Sequence, residues 1–492
     1  MNIVNIIRLI LIFLSLILSI SCFINLSDPP LFLFSLLSII FYLILYFFTF
    51  VKNERIKPLL IYFNLISILW IGIRIAYLSF RYEAINYKYI YSFSKIDVCI
   101  SLILCIFFTL SLNLGLIFGS RLRLKFPKVK VPKFFQEEFE IKDFLKVSLI
   151  STILYTIFSV LKIDNKYEFI ISFILPMQFI FWCLISVYIK YSSFLNEQIS
   201  SKMKLIFYFI ILLTFYKRTF IDASKGAILD LSMQFLSAFL VINKTFFIKI
   251  KYLYFGLIAI LFSVPIYFLA YGIRFFKVIS ASYDVSITNY LLTKFSFSDL
   301  NYFITNTVGG DGNFISLMDN LSRRVSYFDY LNIFFHGEVV NQYMSLKYSL
   351  KVIFNSIFPR FLGLNFSEAE LFPSRLFKVA YGYENFMDNL YNYHTDHIPL
   401  YGFLYANFSL SAILIIFVTG VTIAIIYRFL SSINIDNIHI FSSIFIFYVG
   451  QFIFGLGISE TFQFLLYNFI IATPTVYFIN YLIKKFKFKL TN

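Results

Sequence analysis

The chain has 492 residues, of which 60% are hydrophobic and 14% charged, with a mean hydropathy of +0.81. Soluble domains carry roughly 25% charged residues, so a water-soluble globular enzyme is excluded; so is intrinsic disorder, which needs low hydrophobicity and high charge. A net charge of +16 would suggest nucleic-acid binding in a soluble protein, but here basic loops held on the cytoplasmic side of a membrane account for it, and no nucleic-acid partner is expected.

About 20 consecutive apolar residues cross a bilayer as a helix. Runs of that kind lie near 4–24, 31–51, 58–80, 96–118, 144–161, 168–189, 204–221, 225–243, 252–273, 406–427, 438–457 and 461–483, twelve in all. The eighth is interrupted by Asp230 and Gln234. Arg8 stands near the start of the first run, which lacks a small-residue cleavage site, and this predicts a retained span and not a removed signal. The four cysteines, Cys22, Cys99, Cys105 and Cys183, fall in or beside apolar runs without metal-ligand spacing, so neither a disulfide framework nor a zinc site is expected. Alternate connections hold the basic residues: Lys52, Arg55 and Lys57, the stretch 121–133 with Lys142 and Lys146, then Lys190, Lys202 and Lys204, then Lys244, Lys249 and Lys251, and the tail 484–489. That asymmetry predicts both termini in the cytoplasm.

The predicted layout has three parts: helices 1–9 over 1–273, a large external loop over 274–405, and helices 10–12 with a basic tail over 406–492. The loop is of ordinary polarity, with 10 basic and 11 acidic residues, and a structureless loop of about 130 residues is improbable unless functional. Apolar spacing over 338–358 and a Ser296-x-x-Asp299 cap signature predict a partly helical cap lying on the membrane.

Three places carry charge where charge is expensive. The connection after the seventh run reads Lys217-Arg218-Thr219-Phe220-Ile221-Asp222-Ala223-Ser224-Lys225-Gly226, at the outer membrane edge, where each charge near hydrocarbon costs a few kcal/mol. Self-pairing of Arg218 with Asp222 and of Asp222 with Lys225 on one helix face is one account. An anionic ligand is the other, since three cations face one acid. Arg274 sits at the same boundary, where simple snorkelling is the competing account. Arg323, Arg324, Arg360, Arg375 and Lys378 follow in the loop; arginine suits bidentate grip on diphosphate oxygens. The third place is Tyr393-His394-Thr395-Asp396-His397-Ile398-Pro399. It fits acid/base chemistry, since histidine titrates near neutrality and an aspartate orients it, or a polar turn capping the next helix, and it matches metal patterns poorly. Arg74 and Glu460 are isolated charges in or beside apolar runs; pairing and cavity lining are both open for them.

With these features in place the chain resembles the bacterial O-antigen polymerases, membrane enzymes that share their layout with O-antigen ligases. The resemblance rests on the whole-chain layout, on Asp222-Ala223-Ser224-Lys225-Gly226-Ala227-Ile228-Leu229, similar to a Ser-basic-Gly-apolar motif that opens a span, and on His394 to Asn407 running into the next span. One departure is Ser409 after Phe408, where the pattern often has glycine. The resemblance implies an all-α, polytopic inner-membrane bundle of about 12 helices with a large, partly helical periplasmic loop, in a layout like that of the GT-C glycosyltransferases. It implies transfer of a growing glycan from undecaprenyl diphosphate to a hydroxyl of a new lipid-linked repeat unit at the periplasmic face. Donor and acceptor would both be undecaprenyl-diphosphate-linked oligosaccharides, with membrane lipids and a chain-length regulator as further partners and no cofactor or metal. In that chemistry Arg218, Lys225, Arg274, Arg360 and Arg375 would bind the diphosphate. His394, Asp396 or His397 would take the acceptor proton, with Glu338 in reserve. Ligation onto a lipid A core, or flipping of the same lipid, are the alternatives; a flippase would more often show two related halves and charges at the midplane.

Overall fold

The computed structural model describes residues 3–51, 56–82, 86–87, 91–124, 201–216, 227–242, 328–336, 399–432 and 440–454, with isolated positions elsewhere. Among these the chain is helical apart from a two-residue ladder, Asn86–Tyr87 against Tyr91–Ser92. The helices are α1 (Ile3–Ile24), α2 (Pro29–Phe48), α3 (Lys57–Ser67), α4 (Ile73–Phe80), α5 (Lys95–Arg121), α6 (Ser201–Tyr216), α7 (Ala227–Ile242), α8 (Phe328–His336), α9 (Leu400–Phe408), α10 (Ala412–Ser432) and α11 (Ile440–Phe454). A π-helical turn, Ile68–Gly72, joins α3 to α4, and a 3-10 turn, Ser409–Ser411, joins α9 to α10.

Five helical stretches among the described residues are long and apolar enough to cross a membrane: Val4–Ile24, Pro29–Phe48, Lys57–Phe80, Lys95–Arg121 and Leu400–Ser432. The first four coincide with the first four predicted spans. Helices α7 and α11 fall within two more of them, and α7 runs unbroken through Asp230 and Gln234. The predicted spans near 168–189 and 252–273 lie outside the described residues, and those near 144–161 and 461–483 are described only at scattered positions.

Local chemistry explains where the helices start. Asp28 caps α2 by accepting from the Leu31 amide, and Pro29 and Pro30 fill the first turn, where the missing amides go unused. Ser94 and Asp97 form a reciprocal capping box at the start of α5. Ser15, Ser38 and Thr419 inside the apolar helices return their hydroxyls to a carbonyl one turn back, at Leu11, Phe34 and Ile415, so these three carry no unmet donor into lipid. Along α1 the exposed positions Leu9, Phe13, Leu16, Ile20 and Phe23 are as apolar as the buried Val4, Ile7, Leu11 and Leu18, the pattern of a helix with lipid on one side and protein on the other.

The middle of the molecule is the pairing of α5 with α10. Gly115 and Gly119 on α5 leave room for the α10 backbone; a Cβ on Gly119 would come within 2.6 Å of the Val421 carbonyl oxygen, and one on Gly420 within 2.5 Å of the Leu112 oxygen. Small residues spaced four apart let two helices approach this closely in a bilayer. The pair runs parallel: Ser111 donates to the Ile413 carbonyl at 2.6 Å near one end. At the other end Arg428 donates to the carbonyls of Gly119 and Leu122 at 3.0 and 2.8 Å. The buried guanidinium thereby satisfies the last turn of α5, where carbonyls lack partners and the helix dipole favours a cation.

The structure differs from the predicted tenth span in one respect. Hydropathy runs without interruption across 400–427, yet the helix breaks at Ser409, whose φ of 49° is the one positive value at a non-glycine residue among those described. The break leaves α9 as a separate half-helix with Leu400, Tyr401, Gly402, Phe403 and Leu404 buried. Composition registers burial, not direction, so the pattern carried no sign of it.

Candidate functional site

Following the helices end to end places four features together: the α1–α2 turn, the end of α4, the ladder 86–92 and the start of α5. Asn25 in that turn donates to Ser35 Oγ at 3.1 Å and to the Ser79 carbonyl at 2.7 Å, tying α1, α2 and α4. Lys95 at the start of α5 reaches the Asp28 carboxylate and holds that carboxyl below the ordinary aspartate range. Tyr82 is pushed up to about 12, chiefly by burial.

At this end α8 is packed into the bundle. It belongs to the segment 274–405, and its aromatic side packs against other helices: Phe328, Leu331, Phe334 and Phe335 are all buried. Phe328 meets Phe34 of α2 with ring centroids 6.2 Å apart, Phe335 meets Phe108 of α5 at 5.8 Å, and Phe334 packs on Gly402 of α9 so closely that a Cβ there would lie 2.7 Å from it. The other face of α8 is polar. Asp329, Asn332 and His336 follow at i, i+3 and i+7, one stripe of a helix.

Each member of that stripe has a defined neighbour. Arg74 of α4 donates from Nε to Asp329 Oδ1 at 3.1 Å; the arginine side chain is fully buried and the aspartate side chain keeps 12% of its surface. The π turn just before α4 explains how Arg74 comes to face inward. A π turn holds more residues than an α turn, so it rotates every later side chain relative to the helix before it, and Gly72 within it lets the Tyr42 hydroxyl approach. Asn332 donates to the Phe328 carbonyl at 2.9 Å, while its own buried carbonyl oxygen has no hydrogen-bond partner among the described residues. His336 Nε2 lies 2.8 Å from the Asp97 carbonyl oxygen and 3.0 Å from Ser101 Oγ, and Nδ1 lies 3.8 Å from the Asp97 carboxylate. A protonated Nε2 donates to the carbonyl.

A guanidinium with no counter-charge in this setting would cost several kcal/mol. The Asp329 carboxylate offsets that. Among the described residues no three of His, Cys, Asp and Glu converge as metal ligands would.

The residues singled out from the sequence are Arg218, Lys225, Arg274, Arg360, Arg375, His394, Asp396 and His397; all lie outside the described residues. Their chain neighbours are placed. The stretch 217–226 joins the end of α6 at Tyr216 to the start of α7 at Ala227, and His397 stands two residues before Pro399, which is buried as the chain enters α9. The sequence reading left Arg74 open between pairing and cavity lining, and it passed over Asp329, Asn332, Asp97 and Ser101. The i, i+3, i+7 spacing of Asp329, Asn332 and His336 within an aromatic run was the available signal.

Comparison with protein-family models, with curated proteins and with solved structures finds no match.

Proposed function

We propose that the chain is a polytopic membrane glycosyltransferase of the O-antigen polymerase type, which moves a glycan from a polyprenyl diphosphate to a hydroxyl of a second lipid-linked oligosaccharide. The bond between the anomeric carbon and the diphosphate oxygen breaks, a glycosidic bond to the acceptor oxygen forms, and the acceptor proton leaves to a side chain. Arg218, Lys225 and Arg274, with Arg360 and Arg375 from the loop, hold the developing charge of the diphosphate; fixed cations in a site shielded from water are worth several kcal/mol of barrier. His394, His397 or Asp396 receives the proton, a contribution of about 10²–10⁴ in rate.

One observation carries the reading furthest: α8, a described helix of the long polar segment, packs into the bundle, where Asp329 meets the buried Arg74. A transferase must close a polar site over a lipid-anchored substrate, and a segment packed into the bundle is suited to do so; a carrier that only flips the lipid has no need of it.

The test is the glycan profile of a strain lacking the protein, joined to an assay of purified protein with lipid-diphosphate-linked repeat units. Single capped repeats in the strain and polymer ladders in the assay support a polymerase. Polymer accumulating without surface attachment points to a ligase, and loss of the flipped precursor to a flippase. Arg218→Ala and Arg274→Ala are each expected to abolish ladders at unchanged protein level, and normal ladders from both would remove the diphosphate site.

A further inference from the structure

The polar stripe of α8 and its aromatic face do different jobs, and together they link two distant parts of the chain. Asp329 binds Arg74 on α4 and His336 binds the start of α5. The opposite side sets α9: Phe334 lies on Gly402, and Phe335 stacks edge-on against Tyr405 with centroids 5.1 Å apart. Helix α9 also leans on α5 through Tyr401 and Phe108, 5.4 Å apart. The first residues of α9 are therefore located by α8, and α8 is held by aromatic packing on α2 and α5 together with two directional contacts, the buried ion pair and the histidine.

A buried ion pair is a poor device for stability alone, since apolar residues of equal volume commonly do as well. Its strength is directional: a guanidinium and a carboxylate fix register and angle where leucine and methionine would slide. We propose that Arg74 and Asp329 are positioning residues, which hold α8 in one register and through it fix the point at which the chain segment containing His394, Asp396 and His397 enters the bundle at Pro399. The proposal rests on the transferase reading for its catalytic consequence, but its structural half stands on described contacts. Neither residue needs to touch substrate. A displacement of about 1 Å at a catalytic group is enough to cost about a hundredfold in rate.

Cys105 is the natural reporter. It is fully buried on α5, one turn from Phe108, which meets Phe335 of α8 and Tyr401 of α9, so loosening of α8 and α9 is expected to uncover it. In full-length protein with Cys22, Cys99 and Cys183 replaced by serine, alkylation of Cys105 by a small maleimide is measured beside kcat and donor KM in the ladder assay. Arg74→Met with Asp329→Leu is expected to give parental yield and melting, Cys105 labelling faster by about tenfold, and kcat lower by about tenfold or more with KM within about twofold. The charge-exchanged protein, Arg74→Asp with Asp329→Arg, is expected to recover part of both losses. Parental labelling and parental kcat in the apolar double variant would overturn the proposal, because the pair would then be ordinary packing. Should that variant not accumulate, Arg74→Lys decides: it keeps the charge and loses the planar fork, and unchanged labelling and kcat in it overturn the proposal equally. If the parent protein makes no ladders under any condition, the transferase reading fails by itself, while the labelling series still reports whether the pair holds α8 and α9 in place.

Discussion

Ser409 shows how one dihedral angle divides an apolar stretch. With φ 49° and ψ −136° it occupies a region that a side chain enters only under strain, commonly about 1–3 kcal/mol, and that glycine enters freely. The hydroxymethyl group is exposed, so nothing else is lost on removing it. Ser409→Gly is expected to raise thermal stability by about 1 kcal/mol, read as a higher melting temperature in detergent by fluorescence-detected chromatography; an unchanged or lower value would mean that the angle is not strained in the folded protein. Ser409 is the one described non-glycine residue with a positive φ, and the sequence did not disclose the turn. Nor did it disclose the partner of Arg74, which lies 255 residues away: a lone cation in an apolar run announces that a counter-charge exists, but chain order alone does not name it.

Among the helices, the α5–α10 contact has the least tolerance. Gly115 meets the Phe417 carbonyl, and Gly119 faces Val421 and Ala424, so any side chain at either glycine must push the backbones apart. Gly115→Leu is expected to destabilise the protein by about 1–3 kcal/mol, as overpacking does, and Ser111→Ala by about 0.6 kcal/mol, the usual worth of a single interhelical hydrogen bond in a bilayer. Thermal melts of the two variants beside the parent check both values. Equal behaviour would show that the close approach is not what joins the pair. The four N-terminal spans were legible because each is an apolar run with at most one charge well inside it and turn or cap residues near its borders: Asp28-Pro29-Pro30, Lys57-Pro58 and Ser94 through Asp97. Helix α8 was not, because nine residues with five apolar members read equally well as part of a loop. The spacing of Gly115 and Gly119 was visible, but it says only that something approaches closely and leaves the partner open.

At the scale of the whole molecule, the helix directions make an experimental demand. Ser27 and Arg81 belong to one end of the bundle, and Leu124 and Ser432 to the other, since α5 and α10 run parallel from Ser111–Ile413 to Leu122–Arg428. Single cysteines placed at these four positions in a cysteine-free chain are expected to label with an impermeant maleimide in two groups: Ser27→Cys and Arg81→Cys from outside intact cells, Leu124→Cys and Ser432→Cys only after permeabilisation. The basic residues of the even-numbered connections are the ground for expecting the first group outside; the reverse result would move the proposed site to the cytosol and end the transferase reading.

The α5–α10 contact also sets an order of events during synthesis. Ser111 and Ile413, which touch in the finished protein, are 302 positions apart in the chain, so the groove around Gly115 and Gly119 is made early and stays vacant while the ribosome adds the rest. Until the late helix arrives, that notch is open to lipid tails, to other nascent helices and to the quality-control proteases that patrol the bilayer. Truncated chains ending before residue 412 would carry it permanently, and they should be degraded rather than accumulate as stable halves.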